Sequence, residues 1–331
     1  MPLPPVLQNS LALPVIGAPM FIVSVPELVI AQCKAGIVGS FPALNARPKE
    51  LLEEWIVQIK TELAAYQKEH PGRPVAPFAV NQIVHASNDR VEHDVAMCVK
   101  HQVPIMITSL RAPRFVVEAA HSYGGIVLHD VINVRHARKA AEEGVDGLIL
   151  VCAGAGGHAG ALSPFALLPE VRSWFSGTIA LSGAIANGAA VLAAQALGAD
   201  LAYIGTRFIA TREANAKPEY KQMLVEGSAG DIVYSSLFTG VLGNYLKASI
   251  AAAGLDPDNL PAGDKAKMDF GSGGNMRSKA WRDIWGAGQG IGSIADVPTV
   301  AECVARLREE YVAAARQLSA TERWQALAAG G

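Results

Sequence analysis

The residues best placed to do chemistry surround a single imidazole in a loop almost free of side chains. In the run Cys152-Ala153-Gly154-Ala155-Gly156-Gly157-His158-Ala159-Gly160, five of nine residues are Gly or His. Such a loop leaves room for a planar ligand beside one group that titrates near neutral pH and can hold or take a proton. Ser182-Gly183 and Gly205-Thr206 each pair a small residue with a hydroxyl donor, so backbone N–H groups can approach a phosphate there. A turn role competes with this reading for either glycine alone, and the occurrence of both favours the ligand. Gly17-Ala18-Pro19-Met20 brings a flexible thioether that packs against a flat ring or fills core. Asn81-Gln82 offers amides for a ring's polar edge or for a loop, and His129-Asp130 adds two titratable groups.

Bringing these residues together requires a particular order of elements. Short runs rich in Val, Ile and Leu at 15–16, 37–39, 75–81, 103–109, 125–131, 146–153, 178–183 and 201–206 alternate with amphipathic segments such as 48–68, 91–101, 133–143 and 188–197. That is the pattern of parallel strands buried on both faces and joined by helices. Gly36, Gly144 and Gly198 punctuate three of the helix-to-strand junctions. Eight alternations predict an α/β fold of the (β/α)8 TIM-barrel type, with a doubly wound open sheet as competitor. Each chemistry-bearing run lies at the C-terminal end of a strand, the face where such barrels gather their ligand groups.

After Thr206 the alternation breaks. Residues 216–295 read as an inserted helical subdomain, with helices around 218–226 and 233–253 and a Gly-rich loop at 271–274. A final amphipathic helix over 299–318, with Val304, Leu307, Tyr311 and Ala315 at helical spacing, should return to the barrel. The expected division is therefore a barrel of residues 1–215 and 296–331, and a cover of residues 216–295.

Composition narrows the function. Half the residues are hydrophobic, 18% are charged and the net charge is −2, so the 331-residue chain can bury a large core and attracts neither nucleic acid nor an anionic membrane. No apolar run approaches the length of a membrane span, and the first residues lack a signal-peptide pattern. Four scattered cysteines, without CxxC spacing, fit a reduced cytoplasmic setting. GxGxxG at a first strand, GxxxxGK[ST], HExxH and GxSxG are all absent, which disfavours Rossmann, P-loop, metal and hydrolase chemistry.

Taken with Trp285-Gly286-Ala287-Gly288-Gln289-Gly290, the runs Gly17-Ala18-Pro19-Met20, Gly156-Gly157-His158-Ala159-Gly160, Ser182-Gly183 and Gly205-Thr206-Arg207-Phe208 resemble the nitronate monooxygenase family, once called 2-nitropropane dioxygenases. The resemblance spans nearly the whole chain. It implies FMN as cofactor, a nitronate or nitroalkane and O2 as substrates, and leaves a homodimer open. It further implies Ala18 and Met20 near the flavin ring, Asn81 at its polar edge, Gly156 along its border, and Ser182, Gly183, Gly205 and Thr206 around the phosphate. Gly288 and Gln289 would approach from the subdomain, and His158 matches the family's active-site histidine. Asp130 would contact the flavin at a strand end where some relatives carry lysine. The superfamily also holds FMN-dependent NAD(P)H:quinone and enoyl-thioester reductases; a barrel that binds a phosphorylated ligand without redox chemistry is the reading outside that class.

Overall fold

Period-two alternation along each apolar run decides the architecture. In a computed structural model describing residues 3–111, 114–263 and 283–320, the eight runs form β1 (Val15–Gly17), β2 (Gly39–Pro42), β3 (Phe78–Ile83), β4 (Ile105–Ser109), β5 (Ile126–Val131), β6 (Gly147–Val151), β8 (Thr178–Ser182) and β9 (Leu201–Ile204). They pair in parallel in the order β1-β9-β8-β6-β5-β4-β3-β2, and an Ile16–Val38 bridge joins the first strand back to the second. The expected barrel is what forms, and its closure separates it from an open sheet.

Alternate side chains serve two cores. Ile105, Ile107, Leu128, Ile149, Ala180 and Leu201 fill the barrel interior, whereas Met106, Val127, Leu148, Leu150, Ile179 and Leu181 pack outward against the helices. Burial on both faces explains why the strands read as continuous apolar runs. Leu7, from a short 3-10 turn at Pro5–Leu7, is 1% exposed and joins the interior cluster near the strand starts, plugging the bottom of the barrel.

The helices between strands are α1 (Pro26–Lys34), α2 (Leu51–Glu69), α3 (Val91–Lys100), α4 (Arg114–His121), α5 (Val134–Glu142), α6 (Pro164–Arg172) and α7 (Gly188–Leu197). Asn133 and Asn187 cap α5 and α7 by accepting from the backbone N–H of His136 and Ala190, at 2.9 and 2.8 Å. Gly144 and Gly198, at φ 89° and 113°, turn the chain out of the helix toward the next strand, as their placement predicts.

Beyond the eighth barrel strand come α8 (Thr206–Ile209), α9 (Pro218–Glu226), α10 (Lys247–Ala252) and the long α11 (Val300–Ser319). Val300, Cys303, Val304 and Leu307 bury the inner face of α11, which packs against α7 and α1. The helix expected over 233–253 is not there. Its first part is a hairpin, β10 (Ile232–Ser235) antiparallel to β11 (Gly243–Leu246), and only 247–252 is helical. The reason is tertiary: β11 pairs antiparallel with β7 (Gly157–His158), so the backbone of the His158 loop draws this segment into a three-stranded sheet. Residues 216–295 are thus not purely helical, and the 271–274 loop lies outside the described residues.

Gly188 sits where α7 meets α11, and a Cβ there would lie 2.0 Å from the Leu307 carbonyl oxygen and 2.3 Å from the Tyr311 nitrogen. Backbone cannot yield as a flexible side chain can. Gly188→Ala should cost about 1–3 kcal/mol by forcing the two helices apart, measured as a lowered midpoint in urea unfolding.

Candidate active site

Strand alternation also sets the top of the barrel. Two residues after an interior apolar side chain, the same face presents Ala18, Asn81, Ser109, Asp130, Ser182 and Tyr203 in turn. These six line a cavity of about 500 Å3 at the C-terminal ends of the strands, within the range that accepts a cofactor-sized ligand. Met20, Gly156, His158, Gly205 and Thr206 line it as well.

Gly183, Gly288 and Gln289 do not line that cavity; they back its wall. The Gly288 N–H donates to Thr206 Oγ1 at 2.9 Å, the Gln289 N–H donates to the Gly154 carbonyl at 2.9 Å, and Gly183, at φ 138°, lies against Ala153. The structure therefore brings nine of the twelve anticipated residues to one cavity and sets three behind it.

His158 is held from two sides. Its backbone pairs with Gly243 across β7 and β11, and its Nε2 lies 2.8 Å from Thr239 Oγ1. The Thr239 hydroxyl donates to the Val241 carbonyl at 3.0 Å, which leaves Thr239 Oγ1 able to accept an N–H from the imidazole. Burial pushes this imidazole down to about 4, which keeps it neutral at physiological pH. His129, whose Nδ1 meets Thr108 Oγ1 at 2.8 Å, is likewise pushed down to about 4 by burial.

A polar row crosses three adjacent strand ends opposite this loop. Asn81 Nδ2 donates to Ser109 Oγ at 2.8 Å, and the Ser109 hydroxyl donates to Asp130 Oδ2. Burial raises the Asp130 carboxyl to about 6 despite the hydrogen bonds from Ser109 and the Leu110 backbone, which favour its charged form. Leu110, at φ 73°, holds a conformation unfavourable for a branched side chain, and it lines the cavity.

Sequence reasoning missed several lining residues. Ser109 ends a run that was correctly placed, so reading every strand end alike would have found it. Thr239 lay hidden in the segment taken for helix. Arg47, Lys217 and Tyr220 at the mouth carry no motif, and Trp285 opens the 285–290 run without being singled out for the site. Tyr220 stacks on Trp285 at 4.8 Å between ring centroids, and its hydroxyl donates to the Gly286 carbonyl. Lys217 pairs with Asp283 at 3.6 Å. Arg47 donates through Nε to Leu44 at 2.9 Å and lies over the Phe21 ring, and among the described residues no carboxylate pairs with it.

The cavity fits a flavin by its polar inventory. Ser182 Oγ makes no hydrogen bond with any described residue, and Thr206 Oγ1 only accepts, so both hydroxyl protons are available to an anionic group. Met20 packs against Gly205, its sulfur 3.5 Å from where a Cβ would stand. Among the described residues no group of three or more His, Cys, Asp or Glu is placed to hold a metal, and no helix is long and apolar enough to cross a membrane.

Fold and cavity together define a TIM barrel with its ligand site at the C-terminal ends of the strands. The same fold occurs in a nitroalkane oxidase from Streptomyces ansochromogenes, at a TM-score of 0.76 and 23% identity over 95% of this chain and 99% of that one. FabK from Thermotoga maritima superposes at 0.74 with 22% identity, covering 95% and 96%. The family description "Nitronate monooxygenase" matches residues 6–310, and the chain belongs to that family. A nitronate monooxygenase of Paraburkholderia phytofirmans is 26% identical over 92% of this chain and 94% of its own length.

The three shifted groups make stability depend on pH with opposing signs. His129 and His158 titrate near 6.5 when unfolded but near 4 when folded. The unfolded chain therefore binds more protons in that window, and stability is lost as pH falls through it. Asp130 runs the other way, from an ordinary 3.8 up to about 6, and regains stability as pH falls through the same range. Two losses outweigh one gain, so the urea midpoint of the chain without added cofactor should fall between about pH 6.5 and 4, and fall more steeply in Asp130→Asn.

Proposed function

We propose that this chain is an FMN-dependent nitronate monooxygenase that oxidises alkyl nitronates, and neutral nitroalkanes after deprotonation, with O2 to carbonyl compounds and nitrite. The observation that carries this reading is the neutral His158, held by Thr239 on a glycine-stripped loop, facing the same cavity as the hydroxyls of Ser182 and Thr206, whose protons are uncommitted. FMN, when bound, supplies the electron and oxygen chemistry.

The chain's own residues divide the remaining work. Ser182, Gly205 and Thr206 receive the phosphate at adjacent strand ends, with Gly183 shaping the turn behind them. Ala18, Met20 and Gly156 border the ring, Asn81 and Asp130 meet its polar edge, and Gly288 and Gln289 hold the wall in place. Residues 216–295 cover the barrel formed by 1–215 and 296–331, supplying Tyr220 and Trp285 to the mouth. His158 takes the α-proton of a neutral nitroalkane. In the empty site this imidazole is a weak base, but the negative charge that develops on the substrate beside it raises its proton affinity as transfer proceeds. An already ionised nitronate needs no base, and there the same side chain only positions it.

His158→Asn should keep FMN bound and lower kcat/KM for a neutral nitroalkane about 100- to 10,000-fold, with a much smaller loss for the preformed nitronate; steady-state oxygen consumption on both substrates checks this, and unchanged nitroalkane turnover would remove the assigned role. Rapid anaerobic bleaching of the flavin by NADH would point instead to a reductase. Protein that stays colourless after FMN addition would point to a phosphoryl-ligand barrel.

Pairing Ser182→Ala with Thr206→Val should weaken FMN binding about tenfold per lost charge-assisted hydrogen bond. Riboflavin, lacking the phosphate, should bind both proteins alike in fluorescence titration.

A further inference from the structure

The row Asn81, Ser109 and Asp130 runs in one direction. Asn81 commits both amide protons, one to Ser109 Oγ at 2.8 Å and one to the Ile107 carbonyl at 3.3 Å, and its Oδ1 takes no hydrogen bond from the described residues. Ser109 commits its single proton to Asp130 Oδ2. A ligand over these strand ends therefore meets an amide acceptor and, two strands away, a carboxyl group. No Lys, Arg or His among the described residues lies within ion-pair distance of that carboxyl, so as a carboxylate it would be an uncompensated charge in a largely apolar cavity.

The pyrimidine edge of a flavin presents an N–H between two carbonyl oxygens. Asn81 Oδ1 complements the N–H. A carboxylate next to it would face a carbonyl lone pair and repel it, whereas a carboxylic acid has a proton to give. We propose that Asp130 holds the flavin as the neutral acid, donating its proton in a hydrogen bond to a ring carbonyl, so that FMN binding takes up a proton at this residue. The inference rests on the FMN reading above and deepens it. No covalent bond changes; one proton passes from solvent to an Asp130 oxygen.

Electrostatics support the same assignment. Burial already lifts the carboxyl to about 6 in the open cavity, and a ring lying over it would remove more water and lift it further. The groups that face it do not oppose this. Tyr203, from β9, is an uncharged phenol held well above its ordinary range by burial and by Asp130 itself. His129, on the same strand, is bonded to Thr108 and neutral, and His158, on the opposite loop, is neutral. His136, on α5, is lowered by burial and by Arg135 and Lys139. Arg47 and Lys217 stand at the mouth, outside ion-pair distance.

The test is FMN affinity against pH for the native chain and Asp130→Asn, whose amide donates a proton at every pH. The phosphate of FMN itself titrates near pH 6, but identically for both proteins, so the ratio of dissociation constants isolates Asp130. Below about pH 6 the ratio should be flat. Above it, the native chain should lose affinity relative to the variant by up to tenfold per pH unit until the bound-state titration is passed. A flat ratio with tight binding in both proteins overturns the inference and leaves the FMN reading standing; no flavin binding by either overturns both. Should Asp130→Asn not fold, Ser109→Ala carries the test. It removes a donor that favours the carboxylate, so the onset of affinity loss should move to higher pH, and an unmoved onset overturns the proposal.

Discussion

A methyl group added to Gly156 would stand 2.8 Å from the Gly288 nitrogen, and one added to Gly288 would stand 2.6 Å from the Gly154 carbonyl oxygen. The loop after the sixth barrel strand and the segment 286–289 therefore meet backbone to backbone, at a separation that any side chain would break. Everything at the mouth depends on this contact. It lets Asn244 donate to the Ala155 carbonyl at 2.7 Å and Gly288 donate to Thr206 at 2.9 Å. It also places β11 where it can pair with Gly157 and His158. The glycine-rich loop is thus part of a small sheet rather than a free excursion, and its histidine is oriented by a residue 81 positions further along the chain.

With its frame fixed in this way, the cavity biases its buried titratable groups away from their charged forms. Burial lowers two histidines and raises one carboxyl toward the neutral form of each, while the guanidinium of Arg47 and the ammonium of Lys217 stay at the rim. A site of this kind gives weak screening to any charge that appears within it, so an anionic ligand interacts strongly with the few donors present. Backbone strain is concentrated here too: Ile22 at φ 67° and Leu110 at φ 73° both border the cavity. Ile22 is held by Asn45 and Asn215 at 3.0 Å each, so the rim is over-determined rather than loose.

Much of this was legible in the sequence because the barrel is written in local terms. Most strands are short apolar runs, several helix ends carry a glycine or an Asn cap, and chemistry-bearing residues of six strands fall two positions beyond an interior side chain. What failed was the part specified by distant contacts. The stretch around Val233 is apolar enough to read as helix, yet Gly240, at φ 75°, breaks it into a hairpin whose register is set by the backbone of Gly157 and His158. Thr239, the partner of the histidine, went unseen for the same reason. Gly288 and Gln289 back the cavity wall rather than line it, and a motif does not show whether a glycine touches a ligand or makes room for a neighbouring backbone.

Closure of the barrel has a cost in time. Val15 of β1 pairs with Ala202 of β9, and toward β2 it is joined only through the narrow Ile16–Val38 seam. On the ribosome the first strand emerges long before the last, carrying a fully apolar sequence and an unpaired edge. Until β9 arrives, the nascent chain can only be an open, curling sheet with Leu7 lacking the strand ends it plugs. The interval between the first and last strands is therefore when this protein is most open to strand-edge association with its neighbours, and when a chaperone has most to cover.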